Sequence, residues 1–137
     1  MRILTYLREL SDALKDWGKY QSISIEELRN NRDKRNMVLH AMLVSIQASI
    51  DIATYIIAQR GLAKPSTYRE TFEILGKEKI IPEELADELS DLAGFRNILV
   101  HIYWGLNLEE VYAVLQNDLK TLYSFLNFMK DMEIKDN

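Results

Sequence analysis

The sequence predicts an all-α fold: an antiparallel bundle of four main helices with one or two short ones, in a single domain over residues 1–137. Three observations lead there. Apolar residues recur at three- and four-residue steps along the chain, the period of amphipathic helices. The 137 residues include 2 prolines and 5 glycines, so helix breakers are few. Alternating β-branched runs, which would mark strands, are scarce. A hydrophobic content of 47% and a charged content of 28% are those of a soluble globular domain able to bury one core.

The elements follow in order. Ile3, Leu4, Leu7, Leu10, Leu14 and Trp17 define a helix over residues 2–20, closed near Gly18 and Gln21-Ser22. Ser24-Ile-Glu-Glu27 reads as a capping box, with Ser24 as N-cap and Glu27 reaching back. The turn it opens runs into Arg29-Asn-Asn-Arg-Asp-Lys-Arg35. That charge run is expected to be a solvated helix start or connection; its sharper reading is a rim that contacts phosphate. Between Arg35 and Arg60 the single formal charge is Asp51. Met37 to Ala58 is long enough to cross a bilayer. His40, Ser45, Gln47, Ser49, Asp51 and Thr54 make it a poor lipid-facing surface, however. The expectation is a helix buried on several sides, at the centre of a bundle or at a dimer seam. A carboxylate buried there needs a partner, and Arg96 is the candidate for Asp51.

Gly61 and Pro65 end that helix, Ser66 caps a short one from Thr67 to Leu75, and Gly76 stops it. Pro82-Glu83-Glu84 start the next, with acids at its positive end. Its buried stripe is Leu85, Leu89, Leu92, Phe95, Leu99 and Ile102, and Gly105 ends it. Asn107 caps a last helix whose apolar positions run without a break from Val111 through Leu115, Leu122 and Phe125 to Met129.

Composition narrows the chemistry. The chain has no cysteine, which excludes disulfides, thiolate zinc sites and cysteine nucleophiles. Its two histidines, His40 and His101, sit far apart in sequence with no metal-binding spacing, and His40 reads as a partnered core or surface residue. No glycine-rich phosphate loop is present, so no metal or cofactor is expected. A net charge of −4 argues against general affinity for nucleic acid but allows a small basic site. The amino terminus shows no signal-peptide pattern, and a cytoplasmic protein is expected.

Arg96, Asn97, His101 and Tyr103 are the strongly polar side chains between Phe95 and Gly105, in an otherwise apolar helix end. Asn97 and His101, four apart, share a helix face, which Arg96 flanks. Arginine offers fixed charge and forked donors to a phosphate, and imidazole, with a reference pKa of about 6.5, exchanges protons near neutrality. That pair suits metal-free cleavage of RNA. Spacing alone better suits polar groups satisfied at a helix interface.

Arg96-x4-His101-x-Tyr103 resembles the Arg-x4-His-x-Tyr signature of the HEPN superfamily and, more closely, the HepT-type toxins. Asp51-Ile-Ala, Pro65-Ser-Thr-Tyr-Arg-Glu-Thr-Phe72 and Gly94-Phe95 extend the likeness over about residues 37–128. Ile102 departs from it, where the family often carries an acidic residue. The resemblance implies a HEPN-like bundle and the toxin of a toxin–antitoxin pair. Its activity would be that of a metal-independent endoribonuclease with Arg96 and His101 catalytic and Asn97 and Asp51 supporting. Because one chain supplies one such histidine, the family's two-fold homodimer would complete the site. The resemblance also implies that Tyr103 accepts AMP from a partner nucleotidyltransferase, an MntA-like antitoxin, which silences the toxin. The alternatives are a non-catalytic HEPN module acting as helical partner of a nucleotidyltransferase, and a helical dimer with no small-molecule site.

Overall fold

The computed structural model describes residues 2–101 and 105–136. Among them are seven helices and no strand: α1 (Arg2–Lys19), α2 (Ile25–Asn30), α3 (Arg32–Gln59), α4 (Tyr68–Lys77), α5 (Glu83–His101), α6 (Leu108–Asn117) and α7 (Leu119–Asp136). The all-helical fold is as the periodicity predicts. Four helices are long and three short, one more short helix than expected.

Side-chain caps set most of the starts. Ser24 Oγ accepts from the Glu27 N–H, Asn31 Oδ1 from Lys34, and Asn107 Oδ1 from Glu109 and Glu110. The cap of α4 is Thr67 rather than the expected Ser66. Thr67 Oγ1 accepts from the Glu70 N–H, and the Glu70 carboxylate reaches back to the Ser66 N–H. Gly76 does not stop α4 either. It lies inside the helix, where a Cβ would come within 2.6 Å of Ala86 Cβ, so its bare backbone lets α4 and α5 approach closely.

The last predicted helix divides at Asp118 into α6 and α7. The Leu115 carbonyl accepts from buried Trp17 Nε1 at 2.9 Å and from Gln21 Nε2, which also reaches the Gln116 carbonyl. Side chains of α1 and the turn after it thus take up carbonyls at the end of α6, and the ladder restarts at α7.

The core gathers Leu10, Leu14 and Trp17 of α1, Met42, Ile46, Ile50 and Ile57 of α3, Phe72 and Leu75 of α4, Leu89 and Ala93 of α5, and Leu122 and Phe125 of α7. Phe72 and Phe125 meet edge to face at 5.6 Å. Helix α3 is apolar and long enough to cross a membrane by length and composition, yet α1, α2, α4, α5 and α7 all pack on it and bury more than half of its most apolar window. Three cations of the 29–35 run are spent locally. Arg29 pairs with Glu109 at 3.0 Å, Lys34 with Glu27, and Arg35 donates to the carbonyls of Leu28 and Arg29. The run is therefore mainly a brace joining α2, α3 and α6.

Candidate active site

The carboxyl-terminal half of α5 turns Leu92, Ala93, Phe95 and Leu99 into the core. The same helical period leaves Arg96 half-buried and Asn97, Val100 and His101 exposed. His101 lies in the last described turn of α5 and has no hydrogen-bond or ion-pair partner among the described residues. Tyr103, like Ile102 and Trp104, lies outside the described residues.

Arg96 is held on three sides. Its Nε donates to Gln47 Oε1 on α3 at 2.9 Å, its Nη1 donates to Asn97 Oδ1 at 3.3 Å, and its Cζ lies 4.9 Å from the centroid of the Tyr68 ring. Gln47 is oriented in turn, because its Nε2 donates to Asp51 Oδ1 at 2.9 Å. The carboxylate thus points the carboxamide oxygen at the guanidinium. Nη2 has no partner among the described residues, so the fork keeps donors for an anion.

This corrects the expectation for Asp51. It is exposed, not buried, and it reaches Arg96 through Gln47 rather than directly. Ile50 and Ile52 take the buried positions beside it, which turns residue 51 outward. Gln47 and Tyr68 were not singled out from the sequence. Gln47 stands one helical turn before Asp51 on the same face, which is the signal that would have found it. Tyr68 lies in the Pro65–Phe72 stretch and offers no local cue that its ring would meet α5. His40 is an exposed residue of α3 with no partner among the described residues.

Arg96 stands between two grooves. One, of about 420 Å³, is bounded by Tyr6 and Glu9 of α1 and by Val44, Gln47 and Asp51 of α3. The other, of about 500 Å³, is reached through Tyr68 and Asn97. A cavity of about 1,050 Å³ between α4 and α5, open toward Phe128, contains neither Arg96 nor His101. The two helices that carry these residues expose apolar side chains, Met37 at 51% and Val44 at 39% on α3 and Val100 at 40% on α5. No cluster of three or more His, Cys, Asp or Glu suited to a metal ion occurs among the described residues. The arrangement offers a fixed, braced cation and an imidazole with no partner among the described residues on one helix, which are phosphate-binding and proton-transfer groups.

Comparison with known proteins gives a consistent set of likenesses. The profile of the ribonuclease HepT-like family matches residues 3–129. The mRNA nuclease HepT of Shewanella oneidensis is 38% identical over 84 residues, 61% of this chain and 63% of that protein. The tRNA nuclease HepT of Aphanizomenon flos-aquae is 28% identical over 113 residues, 82% of this chain and 77% of that one. Among solved structures, the tri-AMPylated Shewanella oneidensis HEPN toxin in complex with its MNT antitoxin superposes with a TM-score of 0.84 at 27% identity, covering 94% of this chain and 96% of that one.

Proposed function

From the premise that this chain belongs to the ribonuclease HepT-like family, we propose that it is the toxin of a toxin–antitoxin pair, a metal-independent endoribonuclease. The observation that carries the reading is the bracing of Arg96. A guanidinium fixed through Nε to Gln47, with Nη2 unspent and His101 without a partner among the described residues, is prepared for an anion. In the reaction, a ribose 2′-oxygen attacks the adjacent phosphorus and its proton passes to an imidazole. The P–O5′ bond breaks and the 5′-oxygen leaves with a proton, giving a 2′,3′-cyclic phosphate and a 5′-hydroxyl. Arg96 holds the charge that builds on the non-bridging oxygens, and Asn97 and the Asp51–Gln47 pair position it.

Two proton carriers are needed, and His101 is one. A two-fold homodimer supplies the second imidazole and a second Arg96, and the exposed Met37, Val44 and Val100 give such a contact apolar surface. The Shewanella relative is AMPylated and bound to an MNT antitoxin. By that likeness Tyr103 is the AMP acceptor here and a nucleotidyltransferase antitoxin the partner. A phosphate on Tyr103, two residues from His101, would repel RNA from the same site.

The test is cleavage of bulk RNA in EDTA by protein whose intact mass shows no added AMP, beside Arg96→Ala and His101→Ala. Cleavage lost in both folded variants is expected. Equal cleavage by all three proteins, or none by an unmodified dimer, would favour the non-catalytic partner of a nucleotidyltransferase.

A further inference from the structure

The stretch Pro65-Ser-Thr-Tyr-Arg-Glu-Thr-Phe72 is distinctive in the sequence, and apart from the Tyr68 ring the proposed reaction does not use it. In the structure Pro65, Ser66, Thr67, Tyr68 and Thr71 form one wall of the pocket of about 500 Å³. Its volume falls in the range of roughly 300–1,000 Å³ seen for small-molecule sites. Thr54 of α3 and Asn97 of α5 complete it, and Lys64 stands at its edge. Tyr68 and Asn97 also touch the Arg96 guanidinium. A phosphate held by Arg96 therefore has this pocket as its immediate neighbour.

The polar groups of the pocket have bonding capacity to spare. Lys64 has no ion-pair or hydrogen-bond partner among the described residues. The Thr54 hydroxyl donates to the Ile50 carbonyl, which leaves its oxygen lone pairs as acceptors. Thr67 Oγ1 accepts from the Glu70 N–H, which leaves its proton to donate. Asn97 spends its carbonyl oxygen on Arg96 and retains two amide protons. A cation, hydroxyls and a carboxamide around an aromatic residue match the phosphate, ribose and base edge of one nucleotide.

We propose that this pocket is a nucleotide subsite, holding the ribonucleotide that flanks the scissile phosphate of a single-stranded RNA. The proposal rests on the ribonuclease reading for its substrate but can be tested apart from it. A groove of this size takes a base splayed from the strand, which favours single-stranded over paired RNA. The occupant is the substrate's own nucleotide, with Lys64 on its phosphate and Thr54, Thr67 and Asn97 on its sugar and base edges.

Lys64→Ala and Thr54→Val are the informative variants, since one trims an exposed loop side chain and the other keeps the shape of an exposed one. Amide resonances would be followed while 3′-nucleoside monophosphates are added to the native protein and to each variant. Shifts confined to residues 54, 64–68 and 97, with binding weakened roughly tenfold in each variant, are expected. In cleavage assays on short single-stranded RNA, Lys64→Ala should raise KM more than it lowers kcat. It should also reduce the slope of log KM against log salt by about 0.7, the loss of one phosphate contact on a single strand. Arg96-dependent cleavage in which both variants keep the native KM, salt slope and base preference would overturn the subsite. Shifts at these residues in a protein that cleaves no RNA would uphold the subsite and overturn the ribonuclease reading. Neither shifts nor cleavage would overturn both.

Discussion

Replacing Gln47 by Leu tests the bracing of Arg96 most directly, because the two polar ends of one side chain connect Asp51 to the guanidinium. Leucine is close in size and the position is half-buried, so folding should change little. The lost bond is charge-assisted, a class worth about 1.5–3 kcal/mol, and partial exposure places it at the lower end. About 1.5 kcal/mol of transition-state stabilisation corresponds to a roughly tenfold fall in kcat/KM. Asp51→Ala should cost less, roughly threefold, because Gln47 keeps its oxygen but loses the carboxylate that fixes its orientation. The decisive measurement is the double variant, assayed on a short single-stranded RNA with melting temperatures taken in parallel. Asp51 acts on Arg96 through Gln47, so the double variant should be no slower than Gln47→Leu alone. Multiplied losses of roughly thirtyfold would refute the relay, since independent contributions add in free energy. The Arg96 Nε–H resonance gives a readout free of activity, and its exchange with solvent should accelerate in Gln47→Leu.

Two glycines of the α4–α5 contact should answer differently to alanine. Gly76→Ala drives a methyl into Ala86, an overpacking of about 1–3 kcal/mol against about 1 kcal/mol of helix propensity gained, so the melting temperature should fall by a few degrees. Gly94→Ala meets the mobile end of Arg69, whose partner is Asp91 at the surface, and should stay within about 0.5 kcal/mol of native in the same melts. At Asp118, burial and the neighbouring Glu88 hold the carboxyl above its usual range against the opposing pull of Lys120. A group raised in the native state contributes its stability below the unfolded pKa and loses it as pH rises through the native one. Asp118→Asn should therefore stabilise the protein at pH 7, by less than about 1 kcal/mol after solvent screening, raising the melting temperature there and leaving it unchanged near pH 3. An equal gain at both pH values would remove the electrostatic explanation.

What was legible in the sequence was local. Ser24 and Asn107 cap where they stand, Gly61 takes a φ of 67° just past α3, and the Phe95 and Leu99 positions of α5 are buried as their spacing requires. What was not legible came from contacts distant in the chain. The division at Asp118 depends on Trp17 and Gln21 capturing carbonyls some 95 residues away, which no window around residue 118 contains. Gly76 reads as a terminator by type, whereas its role is set by Ala86 on the next helix. At the candidate site, Arg96, Asn97 and His101 are legible because polar residues in an apolar segment stand out. Gln47 escaped notice because its importance lies across the α3–α5 contact.

Asp51 shows how the apolar character of α3 misled, and what that character serves. The helix is so rich in Ile, Ala and Val that hydropathy marks no solvent face, and burial all round was the natural inference. Its outer positions in fact run Met37, His40, Val44, Gln47, Asp51, Thr54 and Ala58, all exposed or half-exposed. The steps alternate between three and four residues, as on one face of any α-helix, and Met37, Val44 and Ala58 make this face partly apolar. Under the proposed two-fold pairing, one seam would cover the exposed apolar residues and bring Gln47, with the Arg96 it braces, toward their copies. The oily stretch that resembles a membrane span and the polar pair that resembles an active site would then be two aspects of one interface.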